Sequence, residues 1–245
     1  MSDITLYFDL LSQPSRAVYL FLKAAKIPFK ENNMDLMKEE HKKPEYLQIN
    51  PAGQVPAVKV GDFCLTESAA ILKYLASLKG KKDWNGKTVE YEARIDQYLS
   101  WQQSGMRKPC IEVFIPTLIN KITFGLFIQK NIDPKQAEDA KKALEVAICQ
   151  FEDRYLKSLT DKKTKIKFIG GSHISVADIL AYCELYQLSA VGKEGFYKKS
   201  PAVKQWMADV EKEIENGGGK GTLEKANKRL CEVKEKFAAA DGAKK

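Results

Sequence analysis

The stretch Ile4-Thr5-Leu6-Tyr7-Phe8-Asp9-Leu10-Leu11-Ser12-Gln13-Pro14-Ser15-Arg16 decides the fold of the first half of the chain. Ile4, Leu6 and Phe8 alternate, so they share one face of a strand. Ser12-Gln13-Pro14 then reads as a helix start, because serine caps exposed N–H groups and proline is tolerated in the first helical turn. Val18, Phe21, Leu22 and Ala25 carry helical spacing to about Lys26. A strand running directly into a buried helix is the opening of an α/β unit.

The elements that follow repeat that grammar as far as residue 80. Phe29–Met34 reads as a second strand and Lys43–Ile49 as a short helix. Ala57–Val60 and Phe63–Thr66 flank Gly61-Asp62, a tight hairpin turn, and Ser68–Leu78 closes the half as a helix. The order βαβαββα suits one mixed four-stranded sheet with helices on its faces. Lys79-Gly80-Lys81-Lys82-Asp83 breaks the pattern, and residues 81–88 are read as a linker.

From Val89 the periodicity is helical, over about 89–120, 134–157, 175–190, 201–214 and 222–237. Ser175-Val176-Ala177-Asp178 has the form of a capping box with Asp in place of Glu or Gln, and Ile174 and Ile179 stand at the positions of a hydrophobic staple. The reading is an α/β domain at 1–80, an all-α domain at 89–237 and a disordered tail at 238–245.

Composition narrows the classes. The 245 residues are 44% hydrophobic, 29% charged and 10% aromatic, as in ordinary globular protein. The richest apolar run, Ile111 to Ile128, contains Glu112, Pro116, Asn120 and Lys121 and reads as a buried helix face rather than a membrane span. Met-Ser-Asp-Ile-Thr enters a strand at once, without a signal peptide's basic start, so a cytoplasmic protein is expected. The net charge of +8 sits in lysine runs at 79–82, 157–167 and 225–245 without interleaved aromatics. That points to solvated faces attractive to a small anion rather than to nucleic acid. Five scattered cysteines (Cys64, Cys110, Cys149, Cys183, Cys231) form no CxxC pair, and they read as reduced and mostly buried. With only His41 and His173 besides, no metal centre is expected.

Three places could carry chemistry. At Asp9–Arg16, a Ser12 hydroxyl beside exposed helix N–H groups can stabilise an anion, although on spacing alone a plain helix cap is the commoner explanation. In Asn50-Pro51-Ala52-Gly53-Gln54-Val55-Pro56-Ala57, a cis peptide before Pro56 could turn the backbone of Val55 toward a ligand, and a trans proline at a strand edge is the alternative. In Leu65-Thr66-Glu67-Ser68, Glu67 can accept from an ammonium while Ser68 and a helix N-terminus donate to a carboxylate; a surface Glu with a capping Ser is the alternative.

Taken in order, these residues resemble the glutathione transferase superfamily over nearly the whole chain. Tyr7 to Ala17, Asp62-Phe63 with Leu65-Thr66-Glu67-Ser68, and Tyr98-Leu99-Ser100-Trp101-Gln102 are similar to the theta class in particular. The resemblance implies a thioredoxin-like first domain that binds glutathione and a helical second domain that forms the electrophile site. It implies that Ser12 donates to the sulfur of glutathione, and that His41 and Lys42 reach the glycyl carboxylate. Gln54 and Val55 would pair with the cysteinyl unit beside a cis Pro56, Glu67 and Ser68 would hold the γ-glutamyl end, and Arg107 would add positive charge. For His41 and Arg107 a solvated face is the alternative.

Glutathione would be a cosubstrate, with no metal or other cofactor. The implied protein is a detoxifying homodimer that conjugates glutathione to small electrophiles, with glutathione peroxidase activity a possible addition. Helix faces with Ile111, Phe114, Ile115 and Leu118 would shape the electrophile side. Two features depart from the family. Ser104 stands where some relatives carry an acid, and Ala-Ala-Ala-Asp-Gly-Ala-Lys-Lys after Phe237 is expected to lack a closing lid helix, leaving a more open pocket. A non-catalytic binding or scaffold protein of the same fold is the rival reading. A cysteine-dependent glutathione oxidoreductase is a second rival, but it would need a thiol near position 12.

Overall fold

A computed structural model describes residues 4–122, 133–157 and 167–242. The far end of the 111–128 run, most of the 157–167 lysine run and the last three residues of the tail lie outside them.

Strand β1 (Ile4–Phe8) buries alternate residues, as its pattern requires, and leads into α1 (Gln13–Ala24). Then come β2 (Lys30–Asn33), α2 (Pro44–Leu47), β3 (Ala57–Val60), β4 (Phe63–Leu65) and α3 (Ser68–Leu78). The sheet order is β2-β1-β3-β4. β1 pairs parallel with β2 and antiparallel with β3 in the register Leu6↔Val58, and β3 pairs antiparallel with β4. This is the mixed four-stranded sheet expected from βαβαββα. Assigned strand β2 is shorter than the 29–34 run, although Met34 N–H still donates to the Phe8 carbonyl at 2.7 Å.

The second half is helical among the described residues: α4 (Val89–Gln102), α5 (Lys108–Ile122), α6 (Pro134–Phe151), α7 (Val176–Tyr186), α8 (Gly195–Lys198), α9 (Pro201–Gly218) and α10 (Thr222–Gly242). Two expectations are corrected here. The 89–120 helix is interrupted by a π-helical turn at Gln103–Arg107. Gly105 sits in that turn against Trp101, where an added Cβ would lie 2.1 Å from the indole, so backbone and ring approach as only glycine permits. The tail read as disordered from 238 is helical as far as Gly242.

α1 is the pivot of the molecule. Ser15 to Leu22 are all buried, and the helix packs on α3, α7, α9 and α10 as well as on its own sheet. Burying α1 on every side fixes the position of its N-terminus, where Ser12 stands. α7 is nearly as buried, and its capping box is complete: Ser175 Oγ accepts from Asp178 N–H at 3.4 Å, and Asp178 Oδ2 accepts from Ser175 N–H at 2.9 Å.

The cysteines depart from expectation. Cys110 and Cys183 are buried and Cys64 is half-buried, but Cys149 and Cys231 fall on the solvent faces of α6 and α10. No described helix is long and apolar enough to cross a membrane, and no metal-holding cluster of His, Cys, Asp and Glu occurs among the described residues.

Candidate active site

A cleft of about 420 Å³ opens between the ends of the strands and the π-helical turn. Its lining contains Ser12, His41, Lys42, Gln54, Val55, Pro56, Glu67, Ser68 and Arg107, so the residues expected to act on glutathione meet there. The elements that deliver them differ in kind.

Ser12 comes from the β1–α1 turn. It holds the N-cap position of α1 with extended backbone, φ −74° and ψ 120°, yet its hydroxyl makes no capping hydrogen bond. The turn is closed instead through main chain and Asp9: Ser12 N–H donates to the Asp9 carbonyl at 2.9 Å, and Leu11 N–H to Asp9 Oδ1 at 2.8 Å. The hydroxyl therefore remains available beside the unpaired N–H groups of a buried helix N-terminus, a setting that favours an anion.

The loop before β3 is braced from behind. The Gln54 carbonyl accepts from Tyr46 OH at 2.5 Å and from Asn50 Nδ2 at 2.8 Å, and Asn50 Oδ1 accepts from Ala52 N–H at 3.0 Å. Burial pushes the Tyr46 phenol up to about 12, so it stays protonated and donating at neutral pH. The Val55–Pro56 peptide is cis. Gly53 has φ +58°, and a Cβ there would press on the His41 carbonyl and on Lys42 Nζ, each at 3.0 Å. Lys42 Nζ also donates to the Gly53 carbonyl at 3.2 Å, which ties the two walls of the cleft together.

Glu67 precedes α3 with φ +64° and ψ 108° and forms no cap bond. A non-glycine residue held there costs about 1–3 kcal/mol and is typical of ligand-binding sites. Ser68, the first residue of α3, is buried at the helix N-terminus.

Arg107 enters from the helical domain at the end of the π turn. Its Nη1 donates to Gln13 Oε1 at 2.5 Å and lies 3.3 Å from Glu184 Oε2. Glu184, fully buried on α7, also accepts from Gln102 at 3.2 Å and Gln187 at 2.6 Å. Burial raises its carboxyl to about 7 although Arg107 favours the ionised form. The cleft is thus lined by Lys42, Arg107 and Glu67, together with Ser12 and Ser68 from the starts of α1 and α3.

Sequence reasoning passed over Asp9, Gln13, Asn50 and Glu184. Asp9, Gln13 and Asn50 stood inside quoted motifs without a role, and Asn50-Pro51 was a readable turn signal. Glu184 gave no local sign. No cysteine lines the cleft among the described residues. Of the four apolar residues placed on the electrophile side, Phe114 is buried, Ile115 is exposed, Ile111 and Leu118 are half-buried, and none lines this cleft.

Residues 3–77 match the family described as "Glutathione S-transferase, N-terminal domain", and residues 111–213 match "Glutathione S-transferase, C-terminal domain". The chain belongs to the glutathione S-transferase family. It is 35% identical to glutathione S-transferase theta-1 of Homo sapiens over 97% of this chain and 92% of that protein. Human glutathione transferase theta-2 in complex with glutathione and an unknown ligand superposes with TM-score 0.83 at 32% identity, covering 96% of this chain and 90% of that one. A human theta-class transferase in complex with the glutathione conjugate of 1-menaphthyl sulfate gives TM-score 0.83 at 32% identity, covering 97% and 91%. Within the family, a cleft between the sheet ends and the helical domain is where this chain gathers its polar residues.

Proposed function

We propose that the cleft binds glutathione and that the protein conjugates its thiolate to small electrophiles. One observation carries the reading: a serine hydroxyl at a buried helix N-terminus, left unused as a cap, faces the same cleft as Glu67 and Ser68. Glutathione offers two carboxylates, one ammonium and one thiol. Lys42 and His41 suit the glycyl carboxylate, Ser68 with the α3 N-terminus suits the γ-glutamyl carboxylate, and Glu67 suits the ammonium. The braced Gln54–Val55 backbone is positioned for main-chain pairing with the cysteinyl unit.

Chemistry needs the thiolate. A free thiol titrates near ~8.5, and each unit of lowering is worth about 1.4 kcal/mol in favour of the anion. The Ser12 hydroxyl donates to the sulfur, and the α1 N-terminus and Arg107 add positive potential. The sulfur then attacks an electrophilic carbon, a leaving group such as halide departs with the electron pair, and a thioether results. Binding energy from the peptide ends holds the sulfur in place for that step.

The same reading carries a cytoplasmic homodimer with a detoxifying role, supported by family membership, and attack on a hydroperoxide oxygen as an added reaction. The test is glutathione-dependent turnover of an aryl halide, an aralkyl halide, an epoxide and an organic hydroperoxide by wild type and by Ser12→Ala. Turnover that falls steeply in Ser12→Ala while glutathione still binds supports the reading. Glutathione binding without any turnover by wild type would make it a binding protein, and an unimpaired Ser12→Ala would return Ser12 to the role of helix cap.

A further inference from the structure

α10 returns to the strand-rich domain and meets it through charged side chains. Lys225 Nζ lies 3.2 Å from Glu31 Oε2 on β2, an exposed pair on the rim. One turn further on, Arg229 reaches inward. Its Nη1 donates to Asp9 Oδ1, and its Nη2 lies 3.8 Å from Asp35 Oδ1.

Asp9 is a junction. Its side chain is fully buried at the end of β1, where a carboxylate requires both hydrogen-bond donors and a counter-charge. Oδ1 accepts from Leu11 N–H at 2.8 Å and Oδ2 from Leu36 N–H at 3.1 Å. Leu11 immediately precedes Ser12, and Leu36 lines the cleft at the start of the segment that leads to His41 and Lys42. A single carboxylate therefore pins two walls of the cleft, and the cation beside it arrives from the last helix of the chain.

We propose that Arg229 is a positioning residue for the thiolate: by neutralising Asp9 from α10 it fixes the turn that presents the Ser12 hydroxyl, without itself touching ligand. The proposal rests on the glutathione reading of the cleft. It assigns α10 a second task besides packing, because the helix that closes the fold also sets the geometry at the first turn of α1. Lys225, on the same helix, reaches Glu31 of β2 and the ring of Tyr19 midway along α1 but not Asp9, so the Lys225–Glu31 pair separates general docking of α10 from this specific contact.

The test compares Arg229→Met, Arg229→Lys and Glu31→Gln with wild type, all as the full chain. Three quantities are read: kcat and KM for glutathione in conjugation, glutathione Kd by calorimetry, and the pH titration of the bound thiolate by its ultraviolet absorbance. A misplaced Ser12 hydroxyl should lower kcat about ten-fold or more in Arg229→Met, with KM and Kd for glutathione changed less than about three-fold. The thiolate titration should move to higher pH, Arg229→Lys should recover part of both effects, and Glu31→Gln should leave them at wild-type values.

Wild-type kcat and titration in Arg229→Met would overturn the proposal, as would an equal loss in Glu31→Gln. Should Arg229→Met fail to fold, Arg229→Lys decides by the same readouts, with lowered kcat at intact KM for the proposal and wild-type values against it. Failure of the glutathione reading is visible separately, since wild type itself would then bind no glutathione. If wild type binds glutathione but conjugates nothing, the thiolate titration alone decides.

Discussion

Among the serines that precede helices with extended backbone, Ser12 at φ −74°, ψ 120° before α1 and Ser175 at φ −128°, ψ 172° before α7 use their hydroxyls in opposite ways. Ser175 is buried and spends its hydroxyl on Asp178 in a complete capping box. Ser12 is half-buried, lines the cleft and caps nothing. The surroundings account for the difference. Asp178 is built into the first turn of α7 and is itself held by Ile169 N–H and Trp206 Nε1, each at 2.9 Å. At α1 the third helical residue is Ser15, which cannot reach back as an acid would, and the turn is braced by Asp9 from outside the helix. One serine is committed to the fold and the other is withheld from it. That contrast predicts that the two ends of the molecule fail differently when cut.

The largest effect is expected at Asp178→Ala. This carboxylate serves Ile169, Ser175 and Trp206 from a fully buried position, so removing it strands several buried donors. Burial raises its own pKa, showing how little solvent compensates. The loss should be about 3–5 kcal/mol in denaturant unfolding, with the cleft intact in whatever fraction folds.

Next comes Ser12→Ala, where the comparison reverses. Loss of a donor aimed at developing negative charge should lower kcat by about 10²-fold, while stability changes by less than about 0.5 kcal/mol because no cap bond is broken. Chemical denaturation beside steady-state kinetics checks both halves. A stability loss of cap size would show that the hydroxyl does serve α1.

A smaller effect lies between the two sites, at Glu184. It sits on the same helix as Asp178 but faces Arg107, and burial raises it to about 7. A carboxyl whose folded pKa stands above its unfolded value holds extra protons in the fold. Its favourable contribution is complete below the unfolded value near ~4.5 and disappears as pH rises through about 7. Glu184→Gln removes that titration. Unfolding free energy of the variant relative to wild type should therefore rise by on the order of 2 kcal/mol between pH 5 and 8, with no such trend if Glu184 ionises normally.

These residues also mark how far the chain could be read before its coordinates. The β1 alternation, the Gly61-Asp62 hairpin, the Ser175–Asp178 box and the positions of Ser12 and Glu67-Ser68 rest on neighbours within a few residues, and all were legible. The gathering of His41, Lys42 and Arg107 was legible only through family resemblance, since spacing left each as an ordinary surface cation. Arg229 with Asp9, Arg107 with Gln13 and Glu184, and Gly105 against Trp101 were not legible. Arg229 with Asp9 and Arg107 with Gln13 join residues from different domains, and Arg107 with Glu184 joins residues 77 apart in sequence. Gly105 against Trp101 depends on where one ring packs within the π turn, which periodicity does not reveal. The exposed Cys149 and Cys231 were missed for a related reason: residue type favours burial, while the helix face decides it.

The smallest effect, and the sharpest control, is Ser175→Ala. The substitution removes the hydroxyl that accepts from Asp178 N–H at 3.4 Å and donates to Asp178 Oδ2 at 2.5 Å, but leaves Oδ2 accepting from the residue 175 N–H at 2.9 Å. The backbone half of the box survives, so the cost should stay at about 1–2 kcal/mol, a serine cap together with one donor to a carboxylate that keeps its other donors. Ser175 lies outside the cleft lining, so kcat per folded molecule should match wild type. The two alanine variants then form a crossed pair, one losing rate without stability and the other stability without rate. If Ser175→Ala instead lowered kcat at full folding, the capping box of α7 would be coupled to the site through Glu184 and Arg107, and the division of labour between the two serines would have to be abandoned.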